Sequence, residues 1–345
     1  MTSSNALPLV SVIIPMRNEE RHIGACLDSI LANNYPGEKL EILVVDGQSS
    51  DRSREIVQAK LQHNHQIRLL ENPQRITPVA MNTGILASKG DVIFIICAHA
   101  RISSTLISLS VQTLQDYPEV DAVGGIIVSE SEGTIGKAIA LAINSPIGSG
   151  GPQYRVRRTP GPIFDTIAHA AYRRAVFDRV GLVNEELVRN QDAEFNYRFL
   201  QQGGRIHFNP EIVSYVSVRD SLPQLAKQQF RTGYWKVRLF QEVFLTTNWR
   251  HLVPVVFVIV TVVSGIAAIF SVWGRWILMA DVGAYAAAVV ISSCFIGIRH
   301  GPRYLLLLPW VFSVIHLSYG IGMSKGFWDF GILSARKRTS GKAEP

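Results

Sequence analysis

Cysteine is scarce in this 345-residue chain: Cys26, Cys97 and Cys294 are the only three, far apart and without paired spacing. That argues against a disulfide framework and favours a reducing compartment. No internal repeat or low-complexity segment interrupts the sequence. The opening MTSSNALPLVSVIIP lacks a basic region followed by an apolar run and a small-residue cleavage site, so no secretory signal is expected. Charge is thinnest in the C-terminal third. Leu252 to Gly274 carries no charged residue, Ile277 to Ile298 only Asp281, and Tyr304 to Ser324 none. Each stretch has about the 20 residues needed to cross a hydrocarbon core, and three in succession argue against buried soluble helices. Arg299 and Arg303 favour a cytoplasmic loop between the second and third spans. Three spans would export the basic tail SARKRTSGK, so either the third is re-entrant or the tail breaks the rule.

Basic residues are in excess, 34 Lys and Arg against 27 Asp and Glu, giving a formal net charge of +7. An anionic partner is implied: nucleic acid, phospholipid headgroups or a phosphorylated substrate. The basic residues cluster next to the apolar segments and no base-stacking module accompanies them, which favours phospholipid over nucleic acid. In SLPQLAKQQFRTGYWKVRLFQEVF, Leu225, Phe230, Trp235 and Leu239 can share one helical face, with Lys227, Arg231, Lys236 and Arg238 at its flanks. That is the pattern of an interfacial helix on anionic headgroups, or of a solvated linker helix.

The N-terminal part alternates strands and helices. LVSVIIP, EILVVD, IRLLE, DVIFII and AVGGIIVS read as strands; EERHIGACLDSILAN, DRSREIVQAKLQ, TPVAMNTGILAS and STLISLSVQTLQD read as helices. Strands apolar on both faces with helices between them predict an α/β domain with a mostly parallel sheet. Ligands of such sheets bind beyond the carboxyl ends of the strands, here Pro15–Glu19, Asp46–Asp51 and Cys97–Arg101. The expected organisation is a catalytic domain over 1–218, an amphipathic helix region over 219–250, about three transmembrane helices over 251–325, and a basic tail over 326–345.

Four stretches in order carry a resemblance: VSVIIPMRNEERHIGACLDSI with EILVVDGQSSDRS; TPVAMNTGILASKGDVIFI; NQDAEFNYRFLQQGGRIHF; and QFRTGYWK. Together they resemble glycosyltransferase family 2, the inverting nucleotide-sugar transferases of GT-A fold, in its membrane-bound succinoglycan-biosynthesis branch. The resemblance implies a donor site from Pro15, Asn18, Glu19, Asp46, Asn82 and Cys97, with Asp46 on the nucleoside of a UDP-sugar. It implies Asp192 as general base, Asp165, His169, Arg231 and Trp235 at the acceptor, and His99 as ligand of Mn²⁺ or Mg²⁺. The family's metal motif departs here, with Cys97 in place of its first Asp, and Gln191 stands where an acidic residue usually precedes the base.

Each residue also has a plainer reading. Asp46 suits a turn that bonds its own backbone; Asn18 and Glu19 suit a helix start; Asn82 suits a solvated helix position; Glu194 and Arg198, four apart, suit a surface ion pair. Cys97 and His99 alone do not suffice for zinc, which takes four ligands. The expected function is an inverting transferase moving a sugar from a UDP-sugar to a lipid-linked saccharide in exopolysaccharide assembly. The expected setting is the inner (plasma) membrane, multi-pass, catalytic domain cytoplasmic, with polysaccharide-assembly proteins as possible partners. The alternatives are transfer to a polyprenyl phosphate, or a non-catalytic protein descended from a transferase.

Overall fold

The computed structural model describes residues 6–150, 153–164, 166–242 and 249–339. The chain divides into two compact units, Met1–Ser129 with Pro152–Ser217, and Glu130–Gly151 with Val218–Pro345.

The first unit opens with β1 (Val10–Met16), α1 (Ile23–Leu31), β2 (Leu40–Asp46), α2 (Ser53–Leu61), β3 (Ile67–Glu71), α3 (Thr77–Ala87), β4 (Val92–Ile95), β5 (Ala100–Ile102), α4 (Leu106–Asp116) and β6 (Ala122–Glu130). After the second unit's α5 (Thr134–Ile143) and α6 (Pro146–Ser149), it resumes with α7 (Gln153–Val156), β7 (Gly161–Ile163), β8 (Ala171–Arg173), α8 (Arg174–Val180), α9 (Gln191–Gln201) and β9 (Ile206–Ser217).

The strands form one nine-stranded sheet in the order β3-β2-β1-β4-β8-β6-β9-β5, with β7 also on β9. Side chains alternate across a strand, so each strand feeds two cores. Val12 and Ile14 of β1 and Ile42 and Val44 of β2 pack with Leu27 of α1 and Leu106 of α4. Ile13, Leu43 and Val45 pack on the other face with Met81 of α3, Phe177 of α8 and Phe199 of α9. This two-sided burial makes the strands apolar throughout.

The β1–β4 set is parallel. β8 then joins β4 antiparallel, and β5 and β7 pair antiparallel with β9. β5, β7 and β8 are three residues each, too short to leave a period in the sequence. The parallel register brings Met16, Asp46 and Glu71 level at the carboxyl edge. β4 stops at Ile95 opposite Ile13, so Cys97 and His99 lie in the turn beyond it.

The second unit continues from α5 and α6 through α10 (Leu222–Glu242), α11 (Val253–Phe270), α12 (Val272–His300) and α13 (Arg303–Thr339). Three helical stretches, Trp249–Phe270, Val272–His300 and Arg303–Gly331, are long and apolar enough to cross a membrane. They are candidate spans. Val256, Val263, Phe270, Trp276, Ile291 and Trp310 stand exposed on them, an apolar surface that suits lipid and would be a liability in water. Asp281, the carboxylate within the second candidate span, accepts a 2.7 Å hydrogen bond from Thr261 across α11 and α12. Arg303–Thr339 is a single helix with Pro309 inside it. α10 lies tightly on α13: a Cβ at Gly322 would come within 2.1 Å of the Phe230 carbonyl oxygen. Leu225 and Leu239 of its apolar face are buried, while Arg231 stays exposed.

Candidate active site

The loops after β1, β2 and β3 are cross-tied at the carboxyl edge. Asn18 accepts a hydrogen bond from the Ser50 backbone N–H at 2.8 Å and donates its own N–H to Ser49 Oγ at 2.9 Å. Asp46 is fully buried. Its Oδ1 accepts from Ser49 N–H and Oγ at 3.1 and 2.6 Å, and its Oδ2 pairs with Arg54 Nη1 at 3.3 Å. The turn role open to Asp46 is therefore real, and an arginine has been added to it. Arg54 also pairs with Glu71, whose carboxyl its guanidinium holds below the usual range. Gln48 Oε1 accepts from Arg75 Nε at 2.6 Å. Pro15 sits within β1 opposite Val45.

Five described non-glycine residues hold positive φ: Asn18 (55°), Gln48 (55°), Arg75 (62°), His169 (52°) and Asn190 (62°). The first three follow β1, β2 and β3; the others precede β8 and α9. Such conformations cost about 1–3 kcal/mol each and persist only where surrounding contacts enforce them. Their concentration along one edge marks a built site.

At the end of β4, five side chains are linked in a row. Glu19 Oε1 lies 3.1 Å from His99 Nδ1, and Cys97 Sγ lies 3.3 Å from His169 Nε2. His169 Nδ1 lies 2.9 Å from Ser214 Oγ. Burial alone would raise the Cys97 thiol, but the charges of His99 and His169 and hydrogen bonds from both bring it down to about 5. The charge of Cys97, outweighing burial and helped by Glu19, pushes His99 up to about 10. Both shifts favour the thiolate form of Cys97 and the imidazolium form of His99.

A hard divalent ion wants oxygen ligands. This strand end offers sulfur and imidazole, and the nearby Glu19 carboxylate is bonded to His99. Among the described residues, no group of three or more His, Cys, Asp or Glu side chains is arranged to hold a metal ion. Sulfur and imidazole make this strand end a poor match for a Mg²⁺ or Mn²⁺ shell, with the Glu19 carboxylate as its oxygen donor.

Asp192 lies exposed in the first turn of α9, two residues after left-handed Asn190. Its charge reaches Tyr172, whose phenol is raised first by burial and then by Asp192. Glu194 and Arg198 do pair, at 2.7 Å, but not on the surface. Glu194 is buried, and Arg198 also donates to the carbonyls of Val180 and Leu182 at 2.6 and 2.9 Å. The pair closes the α8–α9 connection.

Asn82 is buried, not solvated. Its amide donates to the Val183 carbonyl and Glu185 Oε1, both at 2.9 Å, and its Oδ1 accepts from the Val183 N–H at 3.0 Å. It ties α3 to the segment leading to α9. Asp165 lies outside the described residues. Arg231 and Trp235 belong to α10 in the second unit, Trp235 half-buried with its ring centroid 6.0 Å from that of Phe330. Sequence reading passed over Arg54 and Asn196. Arg54 could have been found from its spacing in the helix after Asp46; Asn196 gave no such signal.

Comparison with known proteins agrees with this architecture. Residues 11–181 match the family described as glycosyl transferase family 2. The chain is 26% identical over 324 residues to the dolichyl N-acetyl-alpha-D-glucosaminyl phosphate 3-beta-D-2,3-diacetamido-2,3-dideoxy-beta-D-glucuronosyltransferase of Methanococcus voltae, spanning 92% of this chain and 96% of that one. It is 25% identical to the succinoglycan biosynthesis protein ExoA of Rhizobium meliloti, spanning 96% and 97%. Among solved structures, the mannosyltransferase PcManGT from Pyrobaculum calidifontis, in complex with GDP-Man and Mn²⁺, superposes with a TM-score of 0.60 at 19% identity, covering 94% of this chain and 88% of its own.

Proposed function

We propose that this chain, of GT-A fold and matching glycosyl transferase family 2 over residues 11–181, transfers a sugar from a UDP-sugar to a lipid-linked saccharide, with inversion at the anomeric carbon. The observation that carries the reading is Asp192: an exposed carboxylate in the first turn of α9, set by a left-handed residue. On this reading Asp192 takes the proton from the acceptor hydroxyl. The hydroxyl oxygen attacks the anomeric carbon from the side opposite the diphosphate, which leaves with the bonding pair. General-base help of this kind supplies about 10²- to 10⁴-fold.

The cross-tied loops after β1, β2 and β3 hold the nucleoside, and the diphosphate lies beside the turn after β4. Asp46 acts there with Ser49 and Arg54 as one preset unit, and Asn82 acts from behind the site by fixing the segment before α9. A lipid-linked acceptor is supported by the candidate spans, by the basic α10 and by the acceptor named for the Methanococcus voltae relative. It also accounts for Arg231 and Trp235 as groups suited to a phosphate and a sugar face. The protein works from the plasma membrane with its N-terminal unit cytoplasmic.

The test is a panel of UDP- and GDP-sugars given to the full-length protein with lipid-linked saccharides and with polyprenyl phosphate. Sugar transfer from a UDP donor to a lipid-linked saccharide is expected. Transfer only from GDP donors, or only to polyprenyl phosphate, replaces that half of the proposal. Neither transfer nor nucleotide binding with any donor overturns it.

A further inference from the structure

Asn196 has no part in the chemistry proposed above, yet its side chain makes three hydrogen bonds near it. It is wholly buried on α9, four residues after Asp192. Its Nδ2 donates to the Ile167 carbonyl at 2.8 Å and to Thr166 Oγ1 at 3.2 Å, and its Oδ1 accepts from the Tyr172 hydroxyl at 2.8 Å. Every hydrogen-bonding position of the carboxamide but one oxygen lone pair is used. The partners lie on the segment before β8 and on β8 itself.

That segment is held from other sides as well. The Ile167 side chain rests on bare backbone at Gly124 of β6, where a Cβ would meet it at 2.0 Å. Two residues on, His169 keeps a left-handed φ of 52° while bonding Cys97 on one ring nitrogen and Ser214 on the other. A β-carbon-bearing residue stays in that region only when its surroundings enforce it. An unbroken path therefore runs from the helix bearing Asp192, through Asn196 and the 166–169 segment, to the strand end bearing Cys97 and His99.

The geometry points to Asn196 as a positioning residue that registers the base helix against the donor-side strand end. Through Ile167 it holds His169 in its strained conformation, and through Tyr172 it fixes the turn of α9 that presents Asp192. It touches no substrate. Its effect is to keep the acceptor hydroxyl, the base and the donor in one line, the kind of placement in which a shift of about 1 Å costs up to about a hundredfold. The assignment rests on Asp192 as base, so its test must separate the two.

Asn196→Asp keeps the size and the bond from Tyr172 while removing both donors to the 166–167 segment when ionised and one of the two when protonated. Tyr172→Phe removes only the other bond. Full-length wild type and variants are compared for UDP binding by equilibrium dialysis, for sugar transfer, for donor hydrolysis without acceptor, and for hydrogen exchange of peptides covering 161–170. In Asn196→Asp, kcat for transfer falls about ten- to a hundredfold. UDP affinity and hydrolysis stay within about twofold, and exchange rises in 161–170 but not in β1–β3. Tyr172→Phe shows the same pattern, weaker. Unchanged transfer, or unchanged exchange in 161–170, overturns the assignment. So does a parallel loss of transfer, hydrolysis and UDP binding, which marks general damage. If no donor supports transfer, the exchange pattern still decides whether Asn196 holds the segment. If Asp192→Asn transfers normally, the base assignment falls independently of Asn196.

Discussion

The two sides of the proposed site are built on different principles. On the donor side, the loops after β1, β2 and β3 are stitched together by short polar links near the surface, such as Asn18 to Ser50 and Gln48 to Arg75. Loss of one leaves several others, and water can replace it. On the base side, α9 is held by polar groups with several bonds each: buried Glu194 with half-buried Arg198, and buried Asn196. Water cannot replace a bond there, so a buried group left without its partner costs its full desolvation penalty. Apart from buried Asp46 with Ser49 and Arg54, the donor side is a redundant mesh; the base side hangs on a few points.

The sharpest way to break this comparison is at the base. Asp192→Asn should lower kcat for transfer by about 10²- to 10⁴-fold with nucleotide binding retained, measured by transfer assay and equilibrium dialysis. Near-wild-type turnover removes Asp192 from its role. Next comes stability. Arg198→Ala strands buried Glu194 and should cost about 3–5 kcal/mol in chemical denaturation. Arg52→Ala on the donor side breaks a pair to Glu55 in which both side chains are more than two-thirds exposed, and should cost less than about 1 kcal/mol. Equal losses from the two would erase the distinction.

The same difference decides what the sequence could show. The donor-side elements were legible because doubly buried strands are continuous apolar runs, and the polar residues at their ends interrupt them abruptly, as at Asp46 and at Cys97–Arg101. Three apolar stretches likewise announced the candidate spans. On α9 the sequence offered only the proposed base Asp192, through the resemblance of NQDAEFNYRFLQ. Asn196 in the same stretch looks like any helix-surface asparagine, and only the antiparallel insertion of β8 between β4 and β6 brings Tyr172 and Ile167 to it. Long-range partners of that kind leave no period and no spacing. Glu194 and Arg198 show the halfway case: the i,i+4 pair was readable, but its burial against the carbonyls of Val180 and Leu182 was not.

The end of β4 tests the donor side's redundancy most directly, because its soft donors replace a carboxylate. Cys97→Asp adds a hard oxygen ligand beside His99, and Mn²⁺ should then raise UDP affinity about tenfold or more. In the wild type, Mn²⁺ and a chelator should give affinities within about twofold of one another. A strong Mn²⁺ effect in the wild type would show that the imidazoles and thiol rearrange into a metal shell.

The smallest effect is a shape, not a loss. A thiol lowered to about 5 by His99 and His169 remains thiolate as the pH falls below the usual value of 9.0, and loses reactivity only on approaching 5. Alkylation of Cys97 by iodoacetamide, followed by mass spectrometry of its peptide, should therefore be nearly level from about pH 8 to pH 6, where an ordinary thiol slows about tenfold per unit. His169→Ala removes one of the two imidazoles and should move the fall-off upward in pH. A profile in which wild-type Cys97 already slows tenfold per unit below pH 8 would mean that the imidazoles do not stabilise a thiolate. The row from Glu19 to Ser214 would then be held by neutral hydrogen bonds alone.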